Sequence, residues 1–200
     1  MTKKVSRSKA AGCNKRAEEA TMRFFPKVDP VGPVDAEVRA SAVDYVNRVN
    51  WLFETWDLPG MIASFTSDAR IVHFHGTLSG EDDVRHFLTE HYPYLVPGVG
   101  RCACNHIVDM EASGLVAVRY QNLLVRYASP EDAPKLSDGQ VDESDDLPVI
   151  WLYSPMLDRL RKTDGGWKIA ERYIGGSTFN RRFTPQETTA DAVRPYLPVA

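Results

Sequence analysis

Cysteine is scarce in this 200-residue chain, with three residues at positions 13, 102 and 104. Three thiols do not make a disulfide framework, and Cys102-x-Cys104 has no second pair to complete a zinc site. Long apolar runs are also missing. No stretch reaches 18 apolar residues, so no membrane span is expected. Neither charge sign dominates: 24 basic and 27 acidic residues leave a net charge of -3, which carries no nucleic-acid signature. No secretory apolar segment is legible near Met1, and there are no internal repeats. These absences predict a protein of a reducing, cytoplasmic setting, with neither membrane nor nucleic acid among its partners. Wholesale disorder is excluded by a composition that is 43% hydrophobic and 10% aromatic.

Charge and proline divide the chain. Seven basic residues (Lys3, Lys4, Arg7, Lys9, Lys15, Arg16, Arg23) face only Glu18 and Glu19 in the first 23 positions, which predicts a basic tail without fixed structure. Phe24 to Pro33 is proline-rich and reads as an extended linker, so residues 1–34 precede the folded domain. From Asp35, a plausible N-cap, Val38, Ala42, Tyr45, Val46, Val49, Leu52, Phe53 and Trp56 recur at helical spacing. Asp57 caps a second short helix, Leu58 to Phe65. Residues 69–75 read as a strand and Gly76 to Gly80 as a turn. Ser79 with Asp82 resembles a capping box for a third helix that Pro93 ends.

Beyond Arg101 the pattern becomes extended. Residues 101–111 and 115–128 form one strand pair, and 148–162 and 166–178 another, joined by Asp164-Gly165-Gly166. The acidic stretch 129–147 reads as a solvated loop, and 181–200 as a tail on the surface of the 35–180 domain. Helices followed by antiparallel strands predict an α+β fold: a cone-shaped curved antiparallel sheet wrapped over three N-terminal helices. Such a cone encloses an apolar hollow, the usual place for a ligand.

The passage Glu54-Thr55-Trp56-Asp57, then Ile62-x-x-Phe65-x-x-Asp68-Ala69, then Gly80 opening the third helix, and the closing hairpin Asp164-Gly165-Gly166-Trp167-Lys168-Ile169 resemble the SnoaL-like branch of the nuclear-transport-factor-two-like superfamily. The likeness covers residues 36–178. It implies a small-molecule substrate, no cofactor and a homodimer paired through the open sheet face. The superfamily holds isomerases, dehydratases, cyclases, epoxide hydrolases and non-catalytic binders, so the likeness speaks for fold rather than reaction.

His73-Phe74-His75 is the sharpest chemical feature. Alternation puts Ile71, His73 and His75 on one strand face, the two imidazoles about 6.7 Å apart. By the resemblance, His73 stands where the ketosteroid isomerase branch has its general-base aspartate, and a neutral imidazole can take a proton near pH 7. The bland alternative is a polar pair at a strand end. Glu54 stands where dehydratase-like relatives keep a pocket acid, a partner that would orient a histidine. Alternatively, Asn47, Asn50 and Glu54 form a solvated helix stripe. The family's second-strand histidine position holds Arg101 or Cys102, with His106 four or five residues further on. A further family histidine falls near Arg126, and the isomerase branch's oxyanion tyrosine at Val49.

Tyr45, Trp51, Tyr120, Asn122 and Tyr153 are candidate substrate-binding residues, each equally explicable as core or sheet surface. Glu81 after His73-x-His75 suggests a metal set of the cupin type, but the spacing is too long and the helices contradict an all-β fold, so no metal is expected. The expected protein is a small cofactor-independent enzyme for an apolar oxygenated molecule, polyketide- or terpenoid-like. His73 would be its base, Glu54 the partner, and His75 or a tyrosine the stabiliser of oxyanion charge, in isomerisation, cyclisation or dehydration. The other reading is a non-catalytic binding or dimerisation module.

Overall fold

A computed structural model describes residues 25–73, 76–92, 98–129, 132–137 and 139–183. Helix α1 (Ala36–Thr55) starts where the Asp35 carboxylate accepts the Glu37 and Val38 amides. It ends at Trp56, a non-glycine residue in the left-handed region (φ 58°). Asp57 then caps the short α2 (Leu58–Ala63) by accepting the Gly60 amide. Chain order continues with β1 (Phe65–His73), β2 (Gly76–Ser79) and α3 (Gly80–His86), which runs into a π-helical turn, Phe87–His91. Then come β3 (Val99–Met110), β4 (Val116–Arg126), β5 (Val149–Thr163), β6 (Gly166–Ile174) and the short β7 (Thr178–Phe179).

Three local details differ from the sequence pattern. Gly76–Ser79 is a strand paired antiparallel with β1, not a turn, because Gly76 and Leu78 alternate inward as a strand requires. The first strand begins at Phe65, so α2 stops two residues sooner than its apolar spacing suggests. At the start of α3 the Ser79 side chain caps nothing; the Ser79 amide instead donates to the Asp83 carboxylate at 2.9 Å.

The strands form one curved sheet in the order β2-β1-β6-β5-β4-β3, with β7 added on β5. All pairings are antiparallel except β1 with β6. The concave face closes over α1. Ala42, Val46, Val49 and Phe53 of the helix pack against Val108, Val116, Val118, Tyr120, Met156, Leu160 and Ile169. Burial of this apolar surface is the main stabilising term, at about 25 cal/mol per Å².

The convex face has a smaller cover. Phe25 and Val28 pack on Ala117, Leu157 and Tyr173, and the Val31 amide donates to Met110 O. Gly175 is what lets Phe25 lie flat there, since a Cβ would fall 2.7 Å from its ring. The proline-rich segment is therefore extended, as its composition implies, and tied across the outer sheet. Residues 1–24 and 184–200 lie outside the described residues. No described helix is long and apolar enough to cross a membrane.

Candidate functional site

The concave face carries polar groups among its apolar side chains. β5 and β6 set Asp158 directly opposite Arg172. Both point inward, and Asp158 is wholly buried. The guanidinium grips the carboxylate twice, Nε to Oδ1 and Nη2 to Oδ2, each at 2.7 Å. Tyr120 of β4 donates its hydroxyl to the same Oδ2 at 3.0 Å. Burial alone would lower the Arg172 pKa, but the Asp158 charge and hydrogen bonds outweigh it and hold the guanidinium charged. Burial first, and then the Asp158 charge, push the Tyr120 phenol up, so it stays protonated. Tyr45, whose hydroxyl donates to Ser64 O at 2.8 Å, is pushed up to about 12, chiefly by burial.

A β-bulge brings in the histidine. Cys104 pairs with Gln121 and Ile107 with Arg119, so Asn105 and His106 together oppose Tyr120. Asn105 takes up the extra residue with φ 55°, a conformation asparagine tolerates, and its amide donates to Gln121 Oε1 at 2.6 Å. Before the bulge Arg101 and Ala103 face the core; after it His106 and Val108 do. The His106 ring stacks on Tyr120, centroids 5.5 Å apart and planes 19° apart. Among the described residues its buried Nε2 has no hydrogen-bond partner. Burial lowers the imidazole pKa, with the Asp158 charge acting against that. The ring is therefore neutral at pH 7.

Asn122, two residues from Tyr120, shares that face. Its Nδ2 donates to Asn50 Oδ1 at 3.2 Å, and Asn50 in turn donates to Val46 O at 2.9 Å. Asn122 Oδ1 is buried and, like His106 Nε2, has no partner. Buried acceptors left open in a polar cluster are places where a ligand's donors fit. Above the cluster Phe53, Trp56, Phe87 and Tyr92 stand ring to ring, Trp56 stacked on Tyr92 with centroids 6.3 Å apart.

Of the residues singled out from sequence, Tyr120 and Asn122 lie in this cluster and Tyr45 at its edge. Trp51 is 62% exposed on the outer side of α1 and Tyr153 38% exposed on the convex sheet face, so neither is in the buried cluster. The strand period places Tyr153 on the face opposite buried Ser154, and one helical step of about 100° carries Trp51 off the buried stripe of Asn50. Glu54 accepts the Arg101 amide at 3.0 Å and so anchors the start of β3. Asp158 is the carboxylate of the buried cluster. His73 packs against Phe87, centroids 5.6 Å apart, at the outer end of the aromatic row. His75 lies outside the described residues.

Asp158, with its partner Arg172, and Asn50 complete the cluster. The signal for the first two was an acid and a base at inward positions of otherwise apolar strands, Met156-x-Asp158-x-Leu160 and Ala170-x-Arg172-x-Ile174. Asn50 reads as solvated on a helix wheel and is in fact buried. Among the described residues no group of three His, Cys, Asp or Glu side chains is placed to hold a metal ion.

Solved structures share the fold at low identity. A protein of unknown function with a cystatin-like fold from Nostoc punctiforme has a TM-score of 0.56 and 17% identity, over 72% of this chain and 93% of that one. A candidate scytalone dehydratase from Novosphingobium aromaticivorans has a TM-score of 0.52 and 16% identity, over 72% and 87%. ActVI-ORFA from Streptomyces coelicolor has a TM-score of 0.54 and 13% identity, over 72% and 98%. No curated protein matches in sequence. The family model described as the SnoaL-like domain matches residues 34–173, the span that contains the cone and every buried polar group described above, and the chain belongs to that family.

Proposed function

We propose that the protein is an acid–base enzyme acting on a flat, apolar, oxygenated small molecule, with His106 as the base. The observation that carries this reading is a neutral imidazole whose buried Nε2 has no partner, held by a bulge against a fixed Tyr120–Asp158–Arg172 platform. In the step, Nε2 takes a proton from carbon beside a carbonyl: the C–H bond breaks, N–H forms, and the electron pair passes into an enolate. Asp158 favours the imidazolium that results, as its effect on the His106 pKa indicates. The imidazolium then returns the proton to another atom, giving isomerisation, or to a leaving hydroxyl, giving loss of water. Asn122 Oδ1 accepts a hydrogen bond from a substrate hydroxyl. His73, at the outer end of the aromatic row, is the second proton-transfer group, and Glu54 serves by positioning the first residues of β3.

The test uses 5-nitrobenzisoxazole, a flat apolar probe that opens to an absorbing cyanonitrophenolate when a base removes its carbon-bound proton. The expected rate exceeds that of buffer and rises with pH through a midpoint below the ordinary 6.5 of histidine. It is at least tenfold lower in His106→Gln. Equal rates in the wild type and the variant would overturn the assignment. Saturable binding of 2-naphthol without any turnover would favour a binding module on the same fold.

A further inference from the structure

Arg101 is the first inward side chain of β3, and its guanidinium lies between two rings, 5.0 Å from the Phe53 centroid and 5.6 Å from that of Tyr92. Nη2 donates to the Tyr92 hydroxyl at 2.6 Å. Nε is buried and has no acceptor among the described residues. Arg119, Arg159 and Arg172 each hold a carboxylate, but among the described residues none forms an ion pair with Arg101. Glu54 is the nearby acid; its Oε2 takes the backbone amide of Arg101, and the guanidinium bonds Tyr92. A half-buried cation between aromatic faces, with an open donor and no ion pair among the described residues, is arranged for an anion that arrives from outside.

Arg101 and the inner cluster share a neighbour. Phe53, which faces Arg101, also lies 5.9 Å from the Arg172 guanidinium. Arg172 is paired with Asp158, whereas among the described residues no carboxylate is paired with Arg101. Arg101 pairs with Leu124 on β4, and the bulge carrying His106 opposes Tyr120. Those partners are four residues apart, which is about 13 Å along a strand. That separation suits two or three fused rings.

We propose that Arg101, with the Tyr92 hydroxyl beside it, is a carboxylate receptor, and that the substrate class is a fused-ring aromatic acid. Its carboxylate lies on the guanidinium fork and its far oxygen at Asn122 and His106. This inference rests on the interior being the binding site, as proposed above.

Fluorescence titration with 6-hydroxy-2-naphthoate, its methyl ester and 2-naphthol tests it. The acid is expected to bind at least tenfold more tightly than the ester. Arg101→Gln should remove that preference while leaving ester binding within about threefold, and Arg101→Lys, which keeps the charge without the fork, should retain part of it. Tyr92→Phe, which keeps the ring over Arg101, should weaken the acid more than the ester. Equal affinity of acid and ester in the wild type would overturn the receptor, as would a preference that survives Arg101→Gln. If 2-naphthol binds and shifts the His106 ring resonances while the acid gains nothing, only the receptor fails. If none of the three binds, the interior is not the site and both proposals fail.

Discussion

Asp158 and Arg159 are consecutive in β5, yet they belong to two opposite ion clusters on the two faces of one sheet. Asp158 faces Arg172 across the β5–β6 ladder on the concave side, and Arg159 faces Glu171 across the same ladder on the convex side. The outer cluster is saturated. Arg159 donates to Glu111 at 2.6 and 2.9 Å, to Glu171 at 2.8 Å and to Lys27 O at 3.1 Å, so it ties the turn after β3 and the N-terminal segment to the sheet. The inner cluster is saturated only at its centre. Asp158 is filled, but His106 Nε2 and Asn122 Oδ1 around it are open. A network in which every donor has an acceptor in the chain works as a fastening. A satisfied centre with open acceptors around it is a rigid platform for a ligand.

The comparison breaks first at Asp158. Asp158→Ala leaves the Arg172 charge buried without a partner, and urea denaturation should show a loss of about 3–5 kcal/mol. Arg159→Ala is expected to lose less, about 2 kcal/mol, because its partners stay closer to water. It should also speed hydrogen exchange at the Val31 amide, since the strap it holds is loosened.

His106→Gln sharpens the contrast by acting through pH. The folded pKa of His106 is depressed, so the unfolded chain binds more protons below the ordinary 6.5, and stability falls as pH falls through the lower folded value. At pH 8 the variant should differ from the wild type by less than about 1 kcal/mol. Below pH 6.5 its denaturation midpoints should drop less steeply than those of the wild type. A saturated group in this position would not give that separation.

The smallest effect belongs to Arg161, one nitrogen of which bonds both Asp68 carboxylate oxygens in a largely exposed pair, at side-chain exposures of 44% and 62%. Arg161→Ala should change stability by about 0.5 kcal/mol, and salt should erase the difference.

Much of the architecture was legible because periodicity is a local signal. The Val46, Val49 and Phe53 stripe, the Asp35 and Asp57 caps and the Asp164-Gly165-Gly166 hairpin can each be read within a dozen residues. The candidate site was legible only in part. Tyr120 and Asn122 stand out as a polar pair on an inward strand face, but His106 does not. Strict alternation from Arg101 and Ala103 puts it outside, and only the bulge at Asn105 turns it inward. The Gly76–Ser79 strand was hidden by Gly76 at its start and Gly80 just after it, which read as turn residues, and only pairing with β1 shows the strand.

The amino-acid order by itself determined where helices and strands form, that acid and base alternate at Asp158, Arg159, Glu171 and Arg172, and that the chain belongs with the SnoaL-like cones. Tertiary structure decided which of those charges face the hollow and which face the strap, that Glu54 holds the Arg101 backbone, and that Arg101 meets Phe53 and Tyr92 instead of a carboxylate. The physical reason is range. Caps and periodicity act over a few neighbouring residues, whereas the register between strands and the inward turn of a bulge depend on partners scores of residues away.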